Sequence, residues 1–204
     1  YKRQVKKISG MNGYSFSTQV KWNVTPHWGI FVEPRFQQLF YRYDKQFAER
    51  SYAVQSVRYK TKMFELEAGV EFQGRGIEPY RTSKDKFRGE TFVQGEYSVS
   101  LPFKLLNRAG LDHRGGLGVG HRFTPLSGVR FTVDYGQYDA LVKTPVTTLS
   151  ADYMFSLMNW FCGYDPANKW QLDAVAGFTY SFSKDALNRD YKSVAGVPGI
   201  KLGA

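Results

Sequence analysis

The chain has 204 residues, with 28 Lys and Arg against 18 Asp and Glu and a formal net charge of +10 at neutral pH. Length allows one or two domains, and a single cysteine, Cys162, excludes an intrachain disulfide and argues against a cysteine metal cluster. No run of about 18 apolar residues occurs, which excludes a transmembrane helix, yet 14 Tyr, 16 Phe and 4 Trp make a heavy aromatic load.

The segments that can form strands alternate with a period of two, so that successive side chains point to opposite faces. In 14–24, Tyr14, Phe16, Thr18, Val20, Trp22 and Val24 share one face, and Ser15, Ser17, Gln19, Lys21 and Asn23 the other. A tight turn through Thr25, Pro26 and His27 leads to a strand at 28–41. Residues 42–61 read as a charge-rich loop. The next strand, 62–73, sets Phe64, Leu66, Ala68, Val70 and Phe72 against Glu65, Glu67, Gly69, Glu71 and Gln73. The connection 74–89 is long and charged, so it holds either a further strand or an elaborated turn. Strands at 90–101 and 115–123 precede a second tight turn, Thr124 to Ser127, and strands at 128–139, 146–157 and 169–183 follow it. In the last of these, Leu172, Ala174, Ala176, Phe178, Tyr180 and Phe182 form the apolar face, and Val175 breaks the alternation. Residues 184–198 read as another loop and 199–204 as the start of a ninth strand.

Segments of about ten residues with this dyad pattern, separated by turn residues, are the signature of a transmembrane β-barrel. The mean hydropathy of -0.43 is compatible with it, because half of each strand would face a polar lumen. Counting strands up and down puts both proline turns on one side and residues 42–61 and 184–198 on the other. Barrels of this class have short periplasmic turns and long extracellular loops. The expected fold is all-β: an antiparallel up-and-down transmembrane barrel of at least eight strands, a single unit over 1–204 with no separate soluble domain, and less than about 10% helix. Ser9 to Thr18 also lines up with Ala195 to Ala204 in two glycines and in apolar parity. That match is either the general likeness of barrel strands or a sign of a larger barrel. The absence of an initiator Met at Tyr1 suggests a processed or partial chain.

A soluble barrel or sandwich also alternates, with its apolar face inward. Three features favour lipid outside. Aromatics lie near strand ends, as Trp22, Trp28, Phe40, Tyr41, Tyr43, Phe123, Trp160, Trp170 and Phe182, where a girdle would sit at headgroup level. Small residues (Gly69, Gly118, Gly120, Gly136, Gly177) fall on the polar face, as a crowded lumen requires. Both charge signs occupy that face: Glu33, Arg35, Glu65, Glu67, Glu71, Arg122, Arg130, Asp134, Asp152 and Asp173. They are expected to point inward as ionic clusters, since an unpaired buried charge is costly. Phe64, Phe72, Val133, Tyr153, Phe178 and Tyr180 are expected to face lipid or a partner.

The stretch from Ala151 to Phe182 contains a strand, the turn Asn159-Trp160-Phe161-Cys162-Gly163-Tyr164-Asp165-Pro166, and a second strand. It resembles the outer-membrane β-barrel proteins of Bacteroidota, largely uncharacterised barrels of the porin or OmpA type. Trp28 to Phe36 resembles another recurrent strand of that group. The resemblance implies a multi-pass barrel in the cell outer membrane and carries no catalytic residue across.

Chemistry is weakly signalled. Barrel enzymes need a His set against a Ser or a carboxylate. His27 sits in a tight turn, His113 in what reads as a loop, and His121 on the apolar parity near a strand end, an interfacial position. Gly115 to Gly120 lacks the Lys-Ser or Lys-Thr and the helix of a phosphate loop. Asp165-Pro166-Ala167-Asn168 lacks the acidic spacing of a calcium site and reads as a turn. No catalytic residue, metal or cofactor is expected. The basic balance shows no nucleic-acid motif. It suits phosphate-bearing headgroups, and Lys2, Arg3, Lys6 and Lys7 are either a lipopolysaccharide contact or a solvated terminus. Partners are therefore expected to be outer-membrane lipid, lipopolysaccharide and other envelope proteins, not nucleic acid. The function expected is a non-enzymatic passive pore or envelope scaffold. The alternative is an accessory subunit of a transport, secretion or assembly complex, with a lipid-modifying enzyme behind both.

Overall fold

The structure, a computed structural model, describes residues 4–47, 54–75, 87–102, 112–137 and 145–183. Eight strands run in chain order: β1 (Gln4–Asn23), β2 (Trp28–Phe47), β3 (Val54–Gln73), β4 (Glu90–Pro102), β5 (Asp112–Arg122), β6 (Ser127–Gln137), β7 (Pro145–Ser156) and β8 (Trp170–Ser183). Each pairs antiparallel with the next, and β8 pairs with β1 from Met11↔Ser181 to Trp22↔Trp170. The sheet is thus a closed up-and-down barrel. Closure leaves no sheet edge, the condition under which strands can lie in lipid.

The barrel closes at eight strands, so β1 and β8 offer no edge for a ninth; residues 199–204 lie outside the described residues. In the barrel β3 pairs directly with β4, from Met63↔Pro102 to Gln73↔Phe92, and of the connection between them residues 76–86 lie outside the described residues. The connection after β7 contains a short helix, α1 (Leu157–Cys162), where the sequence read as the end of a strand and a turn. Ser156 caps it by accepting from Asn159 N at 3.4 Å, and Gly163, with φ of 82°, ends it.

The strands also run further than their patterns. β1 starts at Gln4 rather than 14, and β2 and β3 stay paired out to Gln46↔Val54 across the stretch that read as a loop. Strand pairing needs only backbone groups, so a ladder can continue where the side-chain dyad weakens. In β1 the register also slips between Ile8 and Met11, a bulge that breaks the parity count.

The two tight turns are built alike. Thr25 Oγ1 accepts from Trp28 N at 3.0 Å, and Thr124 Oγ1 accepts from Ser127 N at 2.9 Å. Each threonine hydroxyl takes up the backbone N–H at the far side of its turn, alongside the backbone bonds Thr25 N to Trp28 O and Thr124 N to Ser127 O. Both turns lie at one end, with α1 and the 74–89 connection.

Phe31, Phe92, Met154 and Val175 point inward and are buried. Val175, the break in the β8 pattern, packs with Phe92 and Met154. Gly120 makes room for Phe92: a methyl group at position 120 would overlap the ring. Replacing Gly120 with alanine is expected to destabilise the barrel by ~1–3 kcal/mol through overpacking. Urea unfolding of the refolded protein checks this, and adding Phe92→Leu to make space should recover most of the loss.

Candidate functional site: the barrel interior

The wall alternates fully. Phe16, Val20, Ile30, Val32, Leu66, Val70, Val93, Leu117, Val119, Phe131, Val133, Tyr153 and Phe178 are all exposed on the outside. The buried charges are Lys21, Arg35, Arg114, Arg122 and Arg130 against Glu33, Glu65, Glu67, Glu71, Glu96, Asp112, Asp134, Asp152 and Asp173. Among the described residues the interior is therefore formally acidic, and the net basic charge of the chain is carried elsewhere.

Nearest the short-turn end, Lys21 on β1 pairs with Glu71 on β3. Glu71 also accepts from Gln94 Nε2 at 2.6 Å and Gln73 Nε2 at 2.9 Å. Arg122 on β5 pairs with Asp173 on β8 at 2.6 Å, its guanidinium 5.6 Å from the centroid of the Phe92 ring.

The next layer is built on Arg130. From β6 it holds Asp152 Oδ2 on the adjacent β7 at 2.6 Å, then reaches across the lumen to Glu33 on β2, at 2.8 Å and 3.0 Å. β2 and β6 stand opposite each other in the eight-strand circle, so this one side chain spans the interior. Arg35 adds contacts to Glu33 at 2.8 Å, Glu67 at 3.1 Å and Asp152 at 3.7 Å. Ser17 Oγ donates to Glu33 at 2.6 Å. Each arginine of the layer is ion-paired, while Asp152 Oδ1 and Glu67 Oε1 are buried without a hydrogen-bond partner, so partnering is concentrated on the cations.

Above it, Arg114 pairs with Glu65, Gln37 Nε2 donates to Thr179 Oγ1 at 2.9 Å, and Thr148 and Ser181 share a hydrogen bond of 2.9 Å. Met11, Leu39, Met63 and Val146 then form an apolar layer, each no more than 2% exposed. Eight-stranded barrels have interiors just wide enough for side chains to fill. Here ionic layers and an apolar layer fill it.

Glu33, Arg35, Glu65, Glu67, Glu71, Arg130, Asp134, Asp152 and Asp173 all lie inside the barrel. Lys21, Arg114, Glu96 and Asp112 join them without having been singled out. Lys21 was legible by parity alone. Arg114 was placed in a loop, as was His113, whereas both belong to β5. The cause is Gly115, Gly116 and Gly118, which dilute the pattern at the start of that strand. Gly116 and Gly136 face inward where they leave room for Asp134 and Arg114.

Of the girdle residues, Trp22 and Trp170 stack at 5.9 Å, and Trp28 packs on Phe72 at 5.0 Å. With Phe123 and Trp160, both exposed, they ring the short-turn end. Phe182 lies at the other end, 5.8 Å from Tyr180. Tyr41 and Tyr43 are at that end too, opposite Met11 and Ile8 in register, but beyond the residues whose side chains are described. Lys2 and Arg3 fall outside the described residues.

The histidines lie apart. His27 Nδ1 is 3.0 Å from Gln73 O in the turn. His113 Nδ1 is 2.8 Å from Tyr97 Oη, and His121 Nδ1 is 2.9 Å from Thr91 Oγ1, both on the outer wall. The Nε2 edge of His121 faces Gly89. Between them the outer face of β5 carries Gly115, Leu117 and Val119. At about 3.4 Å per residue and a tilt of about 40°, positions 113 to 121 span about 20 Å along the axis, close to the height of an apolar barrel belt. Asp165 and Asn168 act as turn residues: Asp165 Oδ1 accepts from Ala167 N at 2.9 Å and Asn168 Oδ1 from Trp170 N at 3.0 Å.

No family model matches the chain, and no curated protein sequence matches it. Among solved structures it is similar to the outer membrane protein OprG from Pseudomonas aeruginosa, at 11% identity over 86% of this chain and 97% of that one, with a TM-score of 0.35. At that score the likeness carries no argument, and the eight-stranded closed barrel rests on the strand pairing of this chain alone.

Proposed function

We propose that the protein is an integral outer-membrane β-barrel that serves as a closed, non-catalytic envelope scaffold. The observation that carries this is the inside-out distribution: charges buried within, every buried cation among the described residues ion-paired, and large apolar side chains exposed without. An apolar exterior over all eight strands is an aggregation liability in water and a requirement in hydrocarbon. Of the two non-catalytic roles, scaffold and passive pore, the filled lumen favours the scaffold. Arg130 bridges opposite walls, and Met11, Leu39, Met63 and Val146 pack as a buried apolar layer further along the lumen.

The partners this reading implies are outer-membrane lipid and lipopolysaccharide. Lys60 and Lys62 are exposed on the outer side of β3, just beyond Phe64, at the long-loop end of the apolar belt. Lipid phosphates would meet them there.

Two measurements test the proposal. Refolded protein should migrate on a gel as a heat-modifiable species, and a protein that folds only in the absence of detergent would end the membrane reading. In a planar bilayer the folded protein should pass no steady ionic current. A reproducible single-channel conductance would replace the scaffold by a pore.

A further inference from the structure

The short helix α1 leans outward. The Trp160 ring packs on Phe155, 5.8 Å away and near the end of β7 on the outer wall, and on Phe161 at 4.7 Å. The opposite side of the helix is tied down, because Asn159 Nδ2 donates to Pro125 O in the neighbouring tight turn at 2.7 Å. With the helix so tethered, Trp160 and Phe161 remain 59% and 73% exposed. None of the helix residues is buried, and the sequence Leu-Met-Asn-Trp-Phe-Cys contains no charge. An uncharged, aromatic helix with no core to enter is poorly suited to water. Its aromatics continue the exposed ring of Trp22, Trp28, Phe123 and Trp170 around the same end of the barrel.

We infer that α1 is an interfacial anchor, seated among the phospholipid headgroups of the leaflet that meets the short-turn end. Indole rings favour that zone because one edge is apolar and the N–H can be hydrated. The amide of Asn159 and the capping hydroxyl of Ser156 fix the helix so that its apolar side lies along the bilayer surface, not beneath the lumen. The anchor would set how deep, and at what rotation, this side of the barrel sits. This inference rests on reading the chain as a membrane barrel.

Cys162, exposed and the only cysteine of the chain, ends α1 and provides the probe. The refolded protein is labelled there with a nitroxide in vesicles of phosphatidylcholine and phosphatidylglycerol. Collision rates with oxygen, which concentrates in lipid, are compared with those of a nickel chelate, which stays in water. A second sample carries the label at position 133, as Val133→Cys in a Cys162→Ala background, on the outer wall. The expected result is strong oxygen and weak nickel collision at 133, with an intermediate ratio at 162. The ratio at 162 should shift to the aqueous value when Trp160 and Phe161 are both replaced by serine, with heat-modifiable migration unchanged. A wall label in lipid with a fully aqueous label at 162 would overturn the anchor, leaving the helix as a surface for a protein partner. An aqueous wall label would overturn the membrane reading itself.

Discussion

Replacing Arg130 with alanine is expected to destabilise the folded barrel by about 3–5 kcal/mol, the usual cost of removing one partner from a buried ion pair. The guanidinium makes bonds of 2.6 to 3.0 Å to Asp152 and Glu33, and one of 3.2 Å to Gln94 Oε1. Without it both carboxylates share Arg35 as their nearest cation, at 2.8 Å from Glu33 and 3.7 Å from Asp152. That residual contact should hold the loss toward the lower end. Urea unfolding of vesicle-refolded protein, followed by tryptophan fluorescence, measures it. Adding Glu33→Gln to Arg130→Ala should recover part of the stability, because the second change removes an uncompensated charge rather than a contact. A loss below about 1 kcal/mol would mean that water enters the lumen and solvates the carboxylates, contrary to a dry, filled interior.

Leu66→Arg should act from the opposite wall face. Leu66 is 49% exposed on the outer side of β3, within the span from Phe64 to Phe72. An arginine on the lipid face near the midplane costs about 2–4 kcal/mol, against a total stability of about 5–15 kcal/mol. Glu67→Gln, one residue away but turned inward, keeps a polar group of the same shape beside Arg35 and should cost less. The pair is informative because the two sites share a strand and differ only in parity. The folded fraction after refolding into vesicles, read by heat-modifiable migration, should fall sharply for Leu66→Arg and little for Glu67→Gln. Equal tolerance of both would show that the outer face meets water.

The parity of the chain is legible because a closed barrel with a polar interior and an apolar exterior imposes it residue by residue. Once Glu65, Glu67 and Glu71 were read against Phe64, Leu66, Val70 and Phe72, the facing of β3 followed. The same reading gave the acids and arginines of β2, β6, β7 and β8. It lost hold where that constraint lapses. In the paired extension of β2 and β3 the ladder continues without a clear dyad in the sequence. Glycines at the start of β5 carry no side chain to alternate, so the sequence pattern does not reach Arg114 and His113. The helix α1 is too short to show a helical period, and its Trp and Phe read equally well as strand or turn. Phe92 and Val175 look like misplaced apolar residues on a polar face until Met154 is seen packed against them.

The sequence by itself determined that strands alternate between a charged and an apolar face, which turns are tight, and which charges belong together on one side. Those are local properties, set by a two-residue period and by the chemistry of single turns. The strand count at closure, the partner of each charge and the filling of the lumen were decided by the tertiary structure. Parity says that Arg130 points inward, but not that it meets Glu33. That depends on β2 and β6 standing opposite each other, and their placement is fixed only when β8 pairs with β1 and closes the sheet.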